Sequence, residues 1–236
     1  MIGPLRPQGH AARTGLAGLV LVLVLAACEG GPLGGPPPTE CPTAAPTATE
    51  AAAILEDVTT ATFDTSLGVF TITLNAAAAP IASANFVALA RCDFYDGVTF
   101  HRVLAGFVAQ AGDPNTRDNQ GDFEGLGTGG PGYTFTVEIP PEGLNYDPYT
   151  VAMGNRNTLD SNGSQFFICL TDLDASFTDR IYTIFGLVTD GREVVDAIGQ
   201  VEVISPITGV PVDPVVIRNI ELSGPVEPAE STPSAS

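Results

Sequence analysis

The chain has 236 residues, 44% of them hydrophobic, enough for one domain with a substantial core. Lysine is absent, and nine arginines face 27 acidic residues for a formal charge of -18. That balance excludes nucleic acid as a partner and offers no basic patch to anionic lipid; it reads as a solvated acidic surface that keeps the protein soluble.

Residues 1-27 read as a targeting segment. Arg6 and Arg13 supply its positive region, and the apolar run from Gly15 to Leu25 is too short to cross a bilayer comfortably. The run ends in Leu25-Ala26-Ala27-Cys28, which resembles the lipobox of bacterial lipoproteins. The resemblance implies that Cys28 becomes the first mature residue and carries a lipid anchor, placing the protein outside the cytoplasm on a bacterial cell membrane. The other reading is an ordinary cleaved secretory signal that leaves Cys28 as a free thiol. Residues 28-53, rich in Pro, Thr, Ala and Gly, have almost no large apolar side chains and read as a disordered linker. Residues 224-236, with Pro225, Pro228 and Pro233, read as a disordered tail. Cys41, Cys92 and Cys169 show no Cys-x-x-Cys or metal-type spacing. Cys92 and Cys169 are expected as buried free thiols, with a disulfide between any two of the three left open.

The folded domain is expected over residues 54-223. Val58 to Asp64 and Gly68 to Leu74 form a predicted hairpin. Pro80 suits a first helical turn, and Ala82, Phe86, Leu89 and Ala90 recur at helical spacing through Arg91. Val98 to Leu104 and Phe107 to Ala111 read as strands about a bend at Gly106. Simple alternation puts Phe100 and Arg102 on one face and His101 on the other. Asp113 to Gly132 reads as a long loop; its glycines lack the Gly-Lys-Ser/Thr ending of a phosphate loop, so no nucleotide site is expected. Further strands are predicted at Tyr133 to Val137, Tyr149 to Met153, Ser164 to Leu170, Ile181 to Val188 and Val215 to Leu222, with a short helix from Arg192 to Ile198. Along Ser164 to Leu170, alternation places Gln165, Phe167 and Cys169 opposite Phe166, Ile168 and Leu170. About eight short strands and two helices predict a mainly β fold: a closed antiparallel barrel capped by helices.

His101 is the sole histidine after the targeting segment. A Ser-His-Asp hydrolase or a His-based metal site would have to be built on it alone, and it reads instead as a packed structural residue. No metal and no cofactor are expected.

Two stretches carry the chemistry. Phe100 to Asp113 holds Arg102, Phe107 and Gln110; Met153-Gly154-Asn155 is followed by Asn162 to Ile168, which holds Gln165 and Phe167. Together, in this order and separation, they resemble the signature of the cyclophilin family of peptidyl-prolyl isomerases, over about Val58 to Leu222. The resemblance implies a closed eight-stranded cyclophilin-like barrel capped by two helices, acting on proline-containing polypeptides; a monomer is expected, although the sequence does not disclose the oligomeric state. It implies Arg102 as the catalytic guanidinium, with Gln110 ordering it or the substrate carbonyl. It gives Phe107, Val108 and Phe167 to the proline pocket, Gly154 and Asn155 to the substrate backbone, Gln165 to the groove border, and Tyr182 to a pocket edge often held by His.

The departures from the family pattern are specific. Val108 stands where many members have Met, and the loop from Asn155 to Asn162 is one residue longer than the commonest form. Phe177 takes the family's Trp position and Thr178 the Leu beside it. Trp there donates a hydrogen bond to cyclosporin; Phe cannot, so weak inhibition is expected, and Thr178 is expected to make one wall more polar. These departures motivate a second reading, a proline-peptide binding module or surface scaffold with little turnover.

Overall fold

A computed structural model of the chain describes residues 40–117 and 125–224. The targeting segment, Cys28 and residues 225–236 lie outside the described residues.

Nine strands form the sheet: β1 (Thr60–Thr65), β2 (Gly68–Leu74), β3 (Thr99–Phe100), β4 (Arg102–Leu104), β5 (Val108–Ala111), β6 (Thr150–Met153), β7 (Phe166–Cys169), β8 (Ile184–Asp190) and β9 (Val215–Ser223). Three helices accompany them: α1 (Ala48–Ile54), α2 (Pro80–Ala90) and α3 (Arg192–Ile198). The strand order is β3-β9-β1-β2-β8-β6-β7-β5-β4 and every pairing is antiparallel. The two end strands, β3 and β4, are consecutive in the chain and separated only by His101. The barrel is thus nearly closed, with the chain passing from one end strand to the other through His101, whose N–H donates to Gln110 O.

The interior is aromatic. Phe63 stacks on Phe70 with ring centres 4.6 Å apart, and Phe86, Tyr95, Phe166 and Phe185 surround them. α2 is buried on nearly every side, from Ala82 to Ala90, so it acts as a plug rather than an amphipathic lid. Its first free backbone N–H groups, at Ile81 and Ala82, donate to the carboxylate of Glu138 at 2.9 and 2.8 Å, a cap supplied from a distant loop.

The predicted barrel stands, with nine strands rather than eight and three α-helices rather than two among the described residues. Tyr133 to Val137, expected as a strand, makes only an isolated bridge between Phe135 and Asn162. The strand expected across residues 98–104 is broken at His101, and the break reverses its alternation. Phe100 and Val103 both face the interior, while Arg102 lies outside with the slot residues described below. Phe100 and Arg102 thus do not share a face. By contrast, β7 alternates as predicted, with Phe166 and Ile168 inward and Phe167 and Cys169 outward.

Part of the expected linker is ordered. Thr47 and Glu50 form a reciprocal capping box that starts α1, in which Ala51 is wholly buried. Cys41 is disulfide-bonded to Cys92, just beyond α2. Cys92 is therefore not the free thiol expected; Cys169 is, and burial pushes its thiol up to about 12, leaving it inert.

Candidate active site

The site is a row of side chains across four strands. Register pairs Arg102 of β4 with Gln110 of β5, Gln110 with Phe167 of β7, and Phe167 with Ala152 of β6. With strands about 4.8 Å apart, the guanidinium strand and the Phe167 strand stand two spacings, about 10 Å, from each other. Beneath the row lies a second apolar cluster on the outer face of the sheet, made by Val108, Ala152, Phe167, Cys169, Tyr146, Leu173 and Ile184. The cluster is itself buried, and two of its members, Val108 and Phe167, also line an opening beside it.

That opening is a slot of about 240 Å³ lined by Arg102, Phe107, Val108, Gln110, Gly154, Asn155, Asn157, Phe167, Phe177 and Tyr182. Phe177 is its aromatic hub, with ring centres 5.8 Å from Phe107, 5.7 Å from Phe167, 5.1 Å from Tyr146 and 4.7 Å from Tyr182. Tilted and edge-on rings at these distances hold one another in place. Phe107 is delivered by a tight turn in which its N–H donates to Leu104 O; Gly106 at φ +67° supplies the left-handed residue the turn needs.

Gln110 donates from Nε2 to Gln165 Oε1 at 2.9 Å, and Gln165 donates in turn to Gly129 O at 2.8 Å. Among the described residues the Arg102 guanidinium, with its five donors, has no hydrogen-bond or ion-pair partner. The Asn155 side chain is engaged at both ends, donating to Ile181 O at 2.7 Å and accepting from Asn157 N at 2.9 Å. Its main-chain N–H and C=O, by contrast, have no partner among the described residues. A Cβ at Gly154 would stand 3.4 Å from Gln165 Cβ and 3.6 Å from Gln110 Nε2, both ordinary contacts.

The structure therefore gathers Arg102, Phe107, Val108, Gln110, Gly154, Asn155, Phe167, Phe177 and Tyr182 at one slot. Gln165 borders the adjoining groove and reaches the slot through Gln110. Thr178 is exposed and lines no wall of the slot, contrary to expectation. Two contributors escape sequence reasoning. Asn157, at φ +58°, accepts the Tyr182 hydroxyl at 2.7 Å; an Asn in the lengthened loop, where Asn tolerates left-handed backbone, was its signal. Tyr146 is fully buried and donates to Tyr182 O at 2.7 Å, and no local pattern announces it.

His101 is almost fully buried, and neither ring nitrogen has a partner among the described residues. Burial pushes it down to about 4, so it is neutral at ordinary pH. The Asp113 carboxylate accepts from the N–H groups of Asn115, Gly127 and Gly129. A Ser-His-Asp relay is absent from the described residues, as is any cluster of metal-ligating side chains.

Residues 60–222 match the family model described as cyclophilin type peptidyl-prolyl cis-trans isomerase/CLD. The chain belongs to the cyclophilin family. This cyclophilin is 40% identical to peptidyl-prolyl cis-trans isomerase A of Mycobacterium tuberculosis over 182 residues, covering 70% of this chain and 92% of that one. It is 38% identical to a peptidyl-prolyl cis-trans isomerase of Helicobacter pylori over 149 residues, covering 62% of this chain and 84% of that one. Its barrel is similar to the crystal structure of a Cryptosporidium parvum cyclophilin, with a TM-score of 0.62 at 29% identity, covering 72% of this chain and 99% of that one. The same Cryptosporidium protein crystallised in the presence of the dipeptide Ala-Pro gives a TM-score of 0.61 at 30% identity, over 70% of this chain and 99% of that one. This cyclophilin is accordingly an isomerase, and Arg102 with its aromatic slot is the place to seek the chemistry.

Proposed function

We propose that the chain isomerises Xaa-Pro bonds of exported polypeptides, tethered to the outer side of a cell membrane through Cys28. The observation that carries the catalytic part is a guanidinium without a competing partner among the described residues, fixed in register beside an aromatic slot.

The barrier is the partial double bond of the amide, roughly 18–20 kcal/mol for a peptide bond, and uncatalysed Xaa-Pro turnover takes about 10–100 s at room temperature. The slot holds the proline ring against Phe107, Phe167 and Val108. The free main-chain groups of Asn155 hold the flanking peptide. As the amide twists, its nitrogen regains a lone pair. A hydrogen bond from Arg102 to that nitrogen opposes resonance and favours the twisted form over both planar ones. No nucleophile or proton relay is required, which suits a site whose neighbouring histidine is buried and neutral.

Two features support the location. The Leu25-Ala26-Ala27-Cys28 sequence resembles a lipobox, and a disulfide such as Cys41–Cys92 persists in oxidising compartments. Mass spectrometry of the mature N-terminus tests the anchor: a diacylglycerol-modified Cys28 is expected, and an unmodified residue there refutes it. A proline-peptide exchange assay on the full chain tests the activity. Arg102→Ala should remove most of the rate, and equal rates in the two proteins would remove Arg102 from its role.

A further inference from the structure

A second groove, of about 690 Å³, shares Arg102 and Gln110 with the proline slot and is otherwise walled largely by the aliphatic side chains of Leu126, Ile204, Ile207 and Val210. Ile207 is 86% exposed and Ile204 55%, in a chain whose surface is otherwise strongly acidic. The loop that displays them is tightly held. Ile204 N donates to Val210 O and Val212 N to Glu202 O, both at 2.8 Å, and Gly209 O accepts from Val103 N at 2.6 Å. Val103 is the residue after Arg102, so the loop is pinned to the strand that carries the guanidinium. Gly209 permits this approach: it sits at φ +71°, and a Cβ there would come within 2.6 Å of Val103 O. Aliphatic groups fixed in water beside a substrate slot expose apolar surface that only an occupant can cover.

We propose that this groove is a subsite for an aliphatic side chain of the same polypeptide whose proline occupies the slot. The inference rests on the isomerase reading and adds a sequence preference to it. The two cavities lie against the same two side chains, Arg102 and Gln110, so one bound strand would meet both. At about 3.3 Å per residue, the side chain that reaches the groove lies about two or three positions from the proline. Among the described residues, the titratable groups lining the groove are Arg102 and His101, and burial holds His101 neutral.

The test uses the full chain and a series of proline peptides with Leu or Ala at each position within three residues of the proline. Leu at one position should raise kcat/KM by about fivefold or more over Ala, as expected for partial burial of a Leu side chain. In the Ile204→Ser/Ile207→Ser variant that ratio should fall to about one. No preference in the wild type, or one that survives in the variant, overturns the proposal. So does Ile207-dependent self-association, or binding to phosphatidylglycerol vesicles, without any peptide preference. If the wild type turns over none of the peptides, the isomerase reading fails separately. The subsite is then judged by methyl NMR: Ile204 and Ile207 signals that shift with the Leu peptide and not the Ala peptide uphold it, and no shift overturns it.

Discussion

The side-chain amide of Gln110 donates to Gln165 Oε1, 2.9 Å away, while Arg102 is its direct cross-strand neighbour. Gln165 passes the contact to the carbonyl of Gly129, so the polar wall of the slot is anchored in a loop rather than in the catalytic strand. Gln110 is thereby oriented from behind, and its Oε1 remains an acceptor beside Arg102. Truncating Gln110 or Gln165 to Ala should each lower kcat/KM by about three- to tenfold, the worth of one hydrogen bond. The double variant should lose little more than either single one, because both act through the same contact. A kinetic double-mutant cycle measures this, and strictly additive losses would show that the two amides work independently.

The disulfide predicts a stability effect separable from activity. Cys41 and Cys92 are 51 residues apart in sequence, and the bond ties the α1 segment to the end of α2. Constraining a loop of that length in the unfolded chain stabilises the fold by about 2–4 kcal/mol. Cys41→Ser/Cys92→Ser should lower the urea midpoint accordingly while peptide turnover stays near wild type, since neither cysteine lines the slot. Loss of turnover at unchanged stability would mean that the staple shapes the site.

Much of the site was legible because its residues fall in two short stretches whose strands pair directly. Arg102, Gln110 and Phe167 are a single cross-strand row, and alternation within β7 suffices to set Phe167 against the core-facing Phe166. What could not be read depends on contacts remote in sequence or on local irregularity. Alternation cannot foresee a break at His101, where the chain passes from one end of the sheet to the other. Thr178 follows Phe177 directly, yet the chain turns there toward Arg180 at φ +53°, and Thr178 is carried into solvent. α1 was within reach: Thr47 followed three residues later by Glu50 is a capping signature, masked by the Pro/Thr/Ala composition around it.

His101 sets a pH dependence of stability. Burial lowers it from 6.5 to about 4, so between those values the unfolded chain binds a proton that the folded one refuses. Its contribution is therefore intact above pH 6.5 and is lost as pH falls toward 4, by roughly 2–3 kcal/mol. Chemical unfolding of wild type and His101→Phe across this range should show the wild type losing the excess. Parallel curves would remove His101 as the cause. Catalysis, by contrast, should be flat from neutral to mildly alkaline pH, because the buried imidazole is already neutral there.

Phe177 shapes the slot through its ring contacts, and it is the position expected to govern the response to cyclosporin. Its ring touches four others and carries no donor, whereas the Trp that the family resemblance puts at this position donates a hydrogen bond to the drug. Wild-type turnover should therefore be inhibited only weakly, and Phe177→Trp should strengthen inhibition by about three- to tenfold, the range for one hydrogen bond. The indole must enter a ring cluster closed by Tyr146, which is fully buried and fixed by its bond to Tyr182 O. Phe177→Trp should accordingly reduce peptide turnover modestly, and a companion Tyr146→Phe change, which frees that bond, should restore part of it. Inhibition titrations on all three proteins decide the matter: nanomolar inhibition of the wild type, or no gain from the Trp, would show that this position does not govern the drug.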